Sequence, residues 1–305
     1  MTKSLAELLA RAREYGPLRL AVAAAEDDEV LLAIKAAREQ GIATPLLVGQ
    51  EDKIRARAQE VGFDLSGVAV YNEPRVAGCA RRAVELVSSG QADLVMKGLM
   101  STADILRAVL DKEVGLRTGR ILSHVMIYEL PGYDHLFFLT DGGMNPAPDL
   151  KQKADIVANA VETAHALGIA RPKVAALAAV ELVNPDMPAT LDAAALAQMG
   201  ARGQIKDCLI DGPLALDNAI STEAAAHKGI KSPVAGQADI LLVPDIEAGN
   251  LLGKAMTYFG HGKSAGIIVG AKAPVVLVSR ADPHETKLLS IALGVVATKK
   301  KWAYN

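Results

Sequence analysis

Short runs of consecutive apolar residues alternate along the chain with stretches in which apolar positions recur every three or four residues. Runs of the first kind read as strands buried on both faces, and stretches of the second kind as amphipathic helices. LRLAVAAA (18–25) is a strand, and EDDEVLLAIKAAREQ (26–40) is a helix stopped by Gly41. TPLLVG (44–49) and GVAVY (67–71) are strands, with the helix EDKIRARAQEVG between them. PRVAGCARRAVELVSSG (74–90) is a helix with Pro74 near its start. DLVMKG (93–98) is again a strand, and STADILRAVLDKE (101–113) a helix. This alternation predicts a parallel sheet covered by helices on both faces.

The pattern changes in the middle. ILSHVMIYELPGYDHLFFLTDGG (121–143) predicts two longer strands around a Pro-Gly turn, which suits antiparallel pairing. A long helix follows at about 149–167, and strand-helix alternation resumes with KVAALAAV and ADILLVP (238–244). SAGIIVG (264–270), PVVLVS (274–279) and a helix at about 282–297 close the pattern. A boundary near residue 130 divides the chain into two α/β domains. The first takes 1–130 plus 262–305, and the second takes 131–261.

Composition narrows the classes. With 305 residues, half of them apolar and 22% charged, the chain can bury a sizeable core in two domains. A net charge of −2 provides no basic field for nucleic acid, so an anion must be held by a few placed cations and backbone N–H groups. Cys79 and Cys208 stand far apart and outside any CxxC pattern, which fits neither a disulfide framework nor a zinc cluster and suits the cytoplasm. The N-terminal stretch has no secretory apolar core. No segment approaches the ~20 apolar residues of a membrane-spanning helix.

Four stretches place polar chemistry where strands give way to helices. In VVLVSRADPHETK (275–287), Ser279-Arg280 follows a buried strand. Asp282-Pro283-His284-Glu285 has the form of a capping box that opens a helix. Ligands of open α/β sheets bind at this edge. Free helix N–H groups and an arginine fork suit phosphate or carboxylate there. The alternative for Arg280 is a surface salt bridge. MKGLMSTADILRAVL (96–110) repeats the design. Lys97 ends a strand, Ser101 or Thr102 caps a helix, and Arg107 follows on that helix. Capping accounts for the hydroxyls without function, but a charge that continues an apolar strand needs a partner. In LTDGGMNPAPD (139–149), Asp141 either binds a ligand or caps a turn, and turn chemistry is the simpler reading. In LVPDIEAGNLLGKAM (242–256), Asp245 opens a helix that contains Gly249-Asn250. A mid-helix Gly-Asn costs roughly 1 kcal/mol, which points to close backbone packing or to a ligand. There is no P-loop, no GxGxxG after a strand, no GxSxG elbow, and no metal-ligand spacing among the six histidines.

Taken in order, KGLMSTADILR, LTDGGMNPAPDL, DGPLALDNAIS (211–221), ADILLVPDIEAGNLLGKAM and PVVLVSRAD resemble the phosphate acyltransferases of the acetyl/butyryl family over nearly the whole chain. The VSRAD and TDGGMN forms are closer to butyryl-type members than to acetyl-type ones. The resemblance implies two α/β domains sharing a cleft, as in isocitrate and isopropylmalate dehydrogenases, and assembly as a homodimer or higher homo-oligomer. It implies reversible transfer of a short acyl group from acyl-CoA to phosphate, giving acyl phosphate and CoA, with no metal or other cofactor. The family's Ser-Arg pair falls on Ser279 and Arg280, where Arg holds phosphate and Ser positions or stabilises the reacting thiol and the tetrahedral centre. Acetyl-type members carry an Asp about two turns further on as the base. Thr286 stands seven residues after Ser279 here, preceded by Glu285, so Asp282 and Glu285 are the candidate acids and the base is unassigned.

The expected catalytic set is Ser279, Arg280, Asp282 and Glu285. The expected binding set is Lys97, Ser101, Thr102, Arg107, Asp141, Asp245 and Asn250. Direct attack in a ternary complex is expected, because neither cysteine lies in a nucleophile setting. The competing readings are a non-catalytic CoA-binding protein and a metal-dependent hydroxy-acid dehydrogenase on the same fold.

Overall fold

The structure is a computed structural model describing residues 1–279 and 281–302, with side chains to Thr298. The elements run α1 (Leu5–Tyr15), β1 (Leu18–Ala23), α2 (Asp28–Glu39), β2 (Ala43–Gly49), α3 (Glu51–Glu60), β3 (Ala69–Asn72), α4 (Val76–Ser88), β4 (Leu94–Lys97) and α5 (Thr102–Val109). Next come β5 (Ser123–Glu129), β6 (Leu136–Thr140), α6 (Leu150–Ala166), β7 (Lys173–Leu177), α7 (Pro188–Ala201) and β8 (Leu209–Leu214). The chain continues through α8 (Leu216–Ile220), α9 (Thr222–His227), β9 (Ile240–Leu242), α10 (Ile246–Tyr258), β10 (Lys263–Val269), β11 (Val275–Val276) and α11 (His284–Trp302).

Two compact units result. A flanking unit joins Leu5–Arg120 to the segment from Ala265 on, and a central unit joins Met1–Ser4 to Ile121–Ser264. In the flanking unit the strand order is β3-β2-β1-β4-β11-β10. All these pairings are parallel except β10 with β11. The chain builds outward from β1 to β3, then returns through α4 to place β4 on the other side of β1. The strands are apolar because both faces are covered. Leu20, Val22, Leu47, Leu94, Met96, Ile267, Val275 and Val276 are fully buried. Helix α11 packs against both α1 and α2, and α4 packs with α5.

In the central unit the order is β5-β6-β9-β7-β8. The hairpin β5–β6 is antiparallel, with Met126 opposite Leu139, and the remaining pairs are parallel. Its core gathers Tyr128, Phe137, Leu139, Leu241 and Met256. Asp149 and Gln152 form the capping box that starts α6.

Several expected elements come out shorter, among them a helix and a strand next to the candidate residues. Helix α5 ends at Val109, because Asp111 Oδ1 accepts the N–H groups of Glu113 and Val114 and turns the chain away. The strand expected over 274–279 is paired only at Val275 and Val276, opposite Val95 and Met96. Its neighbour β4 itself stops at Lys97.

The costly Gly249 within α10 has a packing reason. A Cβ there would lie 2.6 Å from Gly142 Cα and 2.8 Å from Val243 Cγ2. Helix α10 therefore rests directly on the backbone of the loop after β6. Gly249→Ala forces these backbones apart and is expected to cost about 1–3 kcal/mol, read by urea denaturation. A loss below about 0.5 kcal/mol, within the range of an ordinary surface change, contradicts the close packing.

Candidate active site

The sheet of the flanking unit reverses its order between β1 and β4, and the neighbouring strand β11 ends beside them. Three chain segments distant in sequence thus meet at one edge. After β1, Ala24 adopts a left-handed conformation (φ 52°). Its carbonyl accepts the Leu99 N–H at 2.7 Å, and the Ala23 carbonyl accepts the Gly98 N–H at 2.8 Å. A Cβ at position 98 would stand 2.1 Å from Ala24 O, so only glycine lets the chain leave β4 this close to β1.

Lys97 closes β4 and is buried. Its Nζ donates to the carbonyls of Gly98 (3.4 Å) and Met100 (3.3 Å), which supplies the partners that a charge continuing an apolar strand requires. Ser101 is the N-cap of α5, accepting the Asp104 N–H at 3.1 Å, and Thr102 is the first residue of that helix. Ser101 Oγ also donates to Asp104 Oδ2 (2.7 Å), and Arg107 Nη1 donates to Asp104 Oδ1 (2.9 Å). These bonds, the serine's first, hold the Asp104 carboxyl below the usual carboxylate range. Of the cations expected here, Lys97 is buried and fixed, whereas Arg107 is largely exposed and paired with Asp104.

Ser279 is exposed at the end of the segment that leaves β11. Arg280 lies outside the described residues. The expected cap is arranged differently. Asp282 does not cap α11. Its Oδ2 accepts the Ser279 N–H at 2.8 Å, and its own N–H donates to Ser279 O at 3.2 Å, so the two residues are doubly linked. The physical reason lies in α2, where Glu29 Oε2 accepts the His284 N–H at 2.5 Å. The first N–H of α11 is thus met from outside, and the aspartate turns back to Ser279. Glu285 is exposed and lies 3.3 Å from the His284 ring. Of the two candidate acids, Asp282 is the one bonded to Ser279.

The remaining expected residues lie in the central unit. Asp141 is buried. Its Oδ1 accepts the N–H groups of Gly143 (3.0 Å) and Met144 (2.9 Å), and its Oδ2 accepts Asn145 Nδ2 (2.6 Å). Both oxygens thus perform the turn chemistry that was the simpler reading. Asp245 caps α10, accepting the Ala248 N–H at 2.8 Å. Asn250 Nδ2 reaches Gly142 O at 3.5 Å. Asp141, Asp245 and Asn250 therefore shape one loop-helix junction. Lys97, Ser101, Thr102, Arg107, Ser279, Asp282 and Glu285 belong to the edge of the flanking unit.

Two residues at that edge escaped the sequence reading. Glu29 lies 255 residues from its partner His284, and no local pattern signals the pair. Lys287 is buried, with Nζ donating to Ser279 O at 3.5 Å and to Asp282 O. A lysine on the inward face of a predicted helix was the available signal.

Both cysteines are buried. Burial above all pushes each thiol up to about 11, helped by the charge of Glu26 at Cys79 and of Asp207 at Cys208. Among the described residues no group of three or more His, Cys, Asp or Glu is placed to hold a metal ion.

These features define an open, mostly parallel α/β protein. A buried cation and an exposed serine stand at its topological switch point, the place where such sheets bind their ligands. Residues 4–82 and 75–295 match the family model described as "Phosphate acetyl/butaryl transferase". The chain is 53% identical over 301 residues to the phosphate butyryltransferase of Clostridium acetobutylicum, covering 99% of this chain and 100% of that one. It is 46% identical over 297 residues to the phosphate acetyltransferase of Thermotoga maritima, covering 96% and 99%. The crystal structure of a branched-chain phosphotransacylase from Enterococcus faecalis V583 superimposes with a TM-score of 0.81 at 36% identity, covering 92% of this chain and 99% of that one. The chain belongs to the phosphate acetyl/butyryl transferase family.

With thiols at about 11, the thiolate fraction at pH 8 is on the order of one in a thousand. The folded protein is expected to react slowly with a disulfide thiol reagent, and to release two equivalents of signal on unfolding. Rapid reaction of either cysteine in the native state contradicts the burial.

Proposed function

We propose that this protein is a phosphate acyltransferase that moves a short acyl group reversibly between CoA and inorganic phosphate, with butyryl favoured. The observation that carries this is the family match along almost the whole chain, with 53% identity to a phosphate butyryltransferase. Acetyl transfer is the second reading, favoured by the 46% identity to a phosphate acetyltransferase. A cytoplasmic setting and a homo-oligomeric assembly belong to the same proposal. Among the described residues no helix is long and apolar enough to cross a membrane.

The reaction asks for little beyond placement and charge. A phosphate oxygen forms a bond to the thioester carbonyl carbon, giving a tetrahedral oxyanion. The C–S bond then breaks, its electron pair stays on sulfur, and CoA leaves as the thiolate. The proton brought by phosphate balances the thiol that forms. Arg280 is the bidentate holder of phosphate in this reading. The Ser279 hydroxyl donates to the oxyanion or the departing sulfur, and the fixed charge of Lys97 on the adjacent strand adds positive potential at the same edge. In the reverse direction CoA must lose its thiol proton. Asp282, bonded to Ser279, is the nearer candidate base, and Glu285 is turned to His284. No metal or prosthetic group is required.

Mixing the protein with acetyl-, propionyl-, butyryl- and isobutyryl-CoA is expected to release CoA only when phosphate is present, fastest with the four-carbon acyl groups. Phosphate-independent release with a stable acyl-protein contradicts direct transfer, and absence of release from a folded protein contradicts the transferase. Arg280→Lys keeps the charge but loses the fork, and is expected to raise KM for phosphate about 10- to 100-fold. Near-normal phosphate kinetics in that variant remove Arg280 from its role.

A further inference from the structure

We infer that Lys287 is a positioning residue that holds Ser279 and Asp282 in their working arrangement. The inference rests on the transferase reading. Lys287 is 3% exposed, although it carries a full charge. Its partners among the described residues are two backbone carbonyls, those of Ser279 and Asp282. A buried ammonium is costly unless its protons are satisfied. Here two of its three N–H donors are met by the two residues that the reaction is expected to use. Removing the ammonium therefore affects Ser279 and Asp282 before it affects the core.

The lysine is itself firmly anchored. Its N–H bonds Pro283 O at 3.2 Å in the first turn of α11. One helical turn on, the fully buried Ser290 accepts the Gly266 N–H at 3.0 Å and donates to Thr286 O at 2.9 Å, tying α11 to β10. The helix start is held by Glu29, which takes the His284 N–H and stands 3.2 Å from the ring Nδ1. The base of the Lys287 side chain is thus fixed by contacts independent of Ser279. Its tip then fixes Ser279 and Asp282 through two carbonyls. The double link between Ser279 and Asp282 closes the arrangement, with the aspartate accepting the serine N–H and the serine carbonyl accepting the aspartate N–H.

Lys287 also places a positive charge beside the residue that is to meet an anion, in surroundings where water screens it little. Tether and charge are separable by substitution. Lys287→Met fills the same space without either. Lys287→Gln keeps two N–H donors and loses the charge, and Lys287→Arg keeps the charge on a bulkier planar head.

The test is steady-state kinetics with phosphate and acyl-CoA varied separately, beside thermal unfolding and CoA binding by calorimetry. Lys287→Met is expected to lower kcat/KM for phosphate at least 100-fold, while the Kd for CoA stays within about threefold of the parent. Lys287→Gln is expected to fall between Met and the parent. Kinetics of Lys287→Met within threefold of the parent overturn the inference. So does an equal loss in phosphate and CoA terms that tracks a lowered Tm, the mark of a purely structural lysine. Should the Met variant fail to fold, the Gln variant decides, and parent-like phosphate kinetics there overturn the role of the charge. Wild-type protein without phosphate-dependent CoA release defeats the transferase reading itself, whereas an active wild type with an unaffected Lys287→Met defeats this inference alone.

Discussion

The parallel pairing of β1 with β4 is the constraint on which the candidate site depends. It sets Ala23 opposite Lys97 and brings the chain from β3 back across the sheet. With β11 paired to the far side of β4, residues 24, 97 and 279 arrive at one edge. The pairing leaves so little room that the chain must exit β4 through a glycine pressed against the Ala23 and Ala24 carbonyls. Nothing in the site is placed by its own local sequence alone. Each candidate side chain inherits its position from a strand register.

The second layer of organisation is electrostatic. A chain of net charge −2 does not attract anions as a whole, so any affinity for phosphate must be local. At this edge two lysines, 97 and 287, are buried with their ammonium groups donating to backbone carbonyls. At Lys287 each carbonyl carries only a partial charge, so it meets an N–H donor without cancelling the positive charge as a carboxylate would. Arg107, by contrast, is neutralised by Asp104 and faces water, where an ion pair contributes little.

What was legible in the sequence follows from the range of the interactions. Strands such as 18–23 and 94–97 announced themselves as unbroken apolar runs, because both faces are covered. The caps at Ser101 and Asp245 were readable because a cap and its N–H partner lie three residues apart. Gly249 betrayed itself by violating helix propensity, and the violation corresponds to its contact with Gly142. The capping box expected at 282–285 failed for the opposite reason. A carboxylate 255 residues away took the helix N–H, and no window around Asp282 contains that information. The same holds for Lys287, whose partners precede it on a different element and whose burial depends on how α11 packs. The motif at Ser279 led to the edge where β1, β4 and β11 end, but not to Glu29 and Lys287, which bond the segment around it.

The chemistry of the available nucleophiles bears on the kind of transfer this edge can perform. An acyl-enzyme route needs a side chain that is exposed and activated by a base within hydrogen-bond reach. The two thiols are buried and pushed up to about 11, the wrong direction for a nucleophile. Ser279 is exposed, but its hydroxyl accepts the Ala281 N–H, and the nearby Asp282 carboxylate is directed to the serine backbone N–H. An oxygen that accepts from the backbone has its proton free to donate outward, which suits a group that stabilises negative charge rather than one that attacks. Phosphate, by contrast, brings its own nucleophilic oxygen and its own proton. The arrangement therefore supplies what direct displacement lacks in water, a fixed donor and positive charge at one edge, and supplies little of what a covalent intermediate would require.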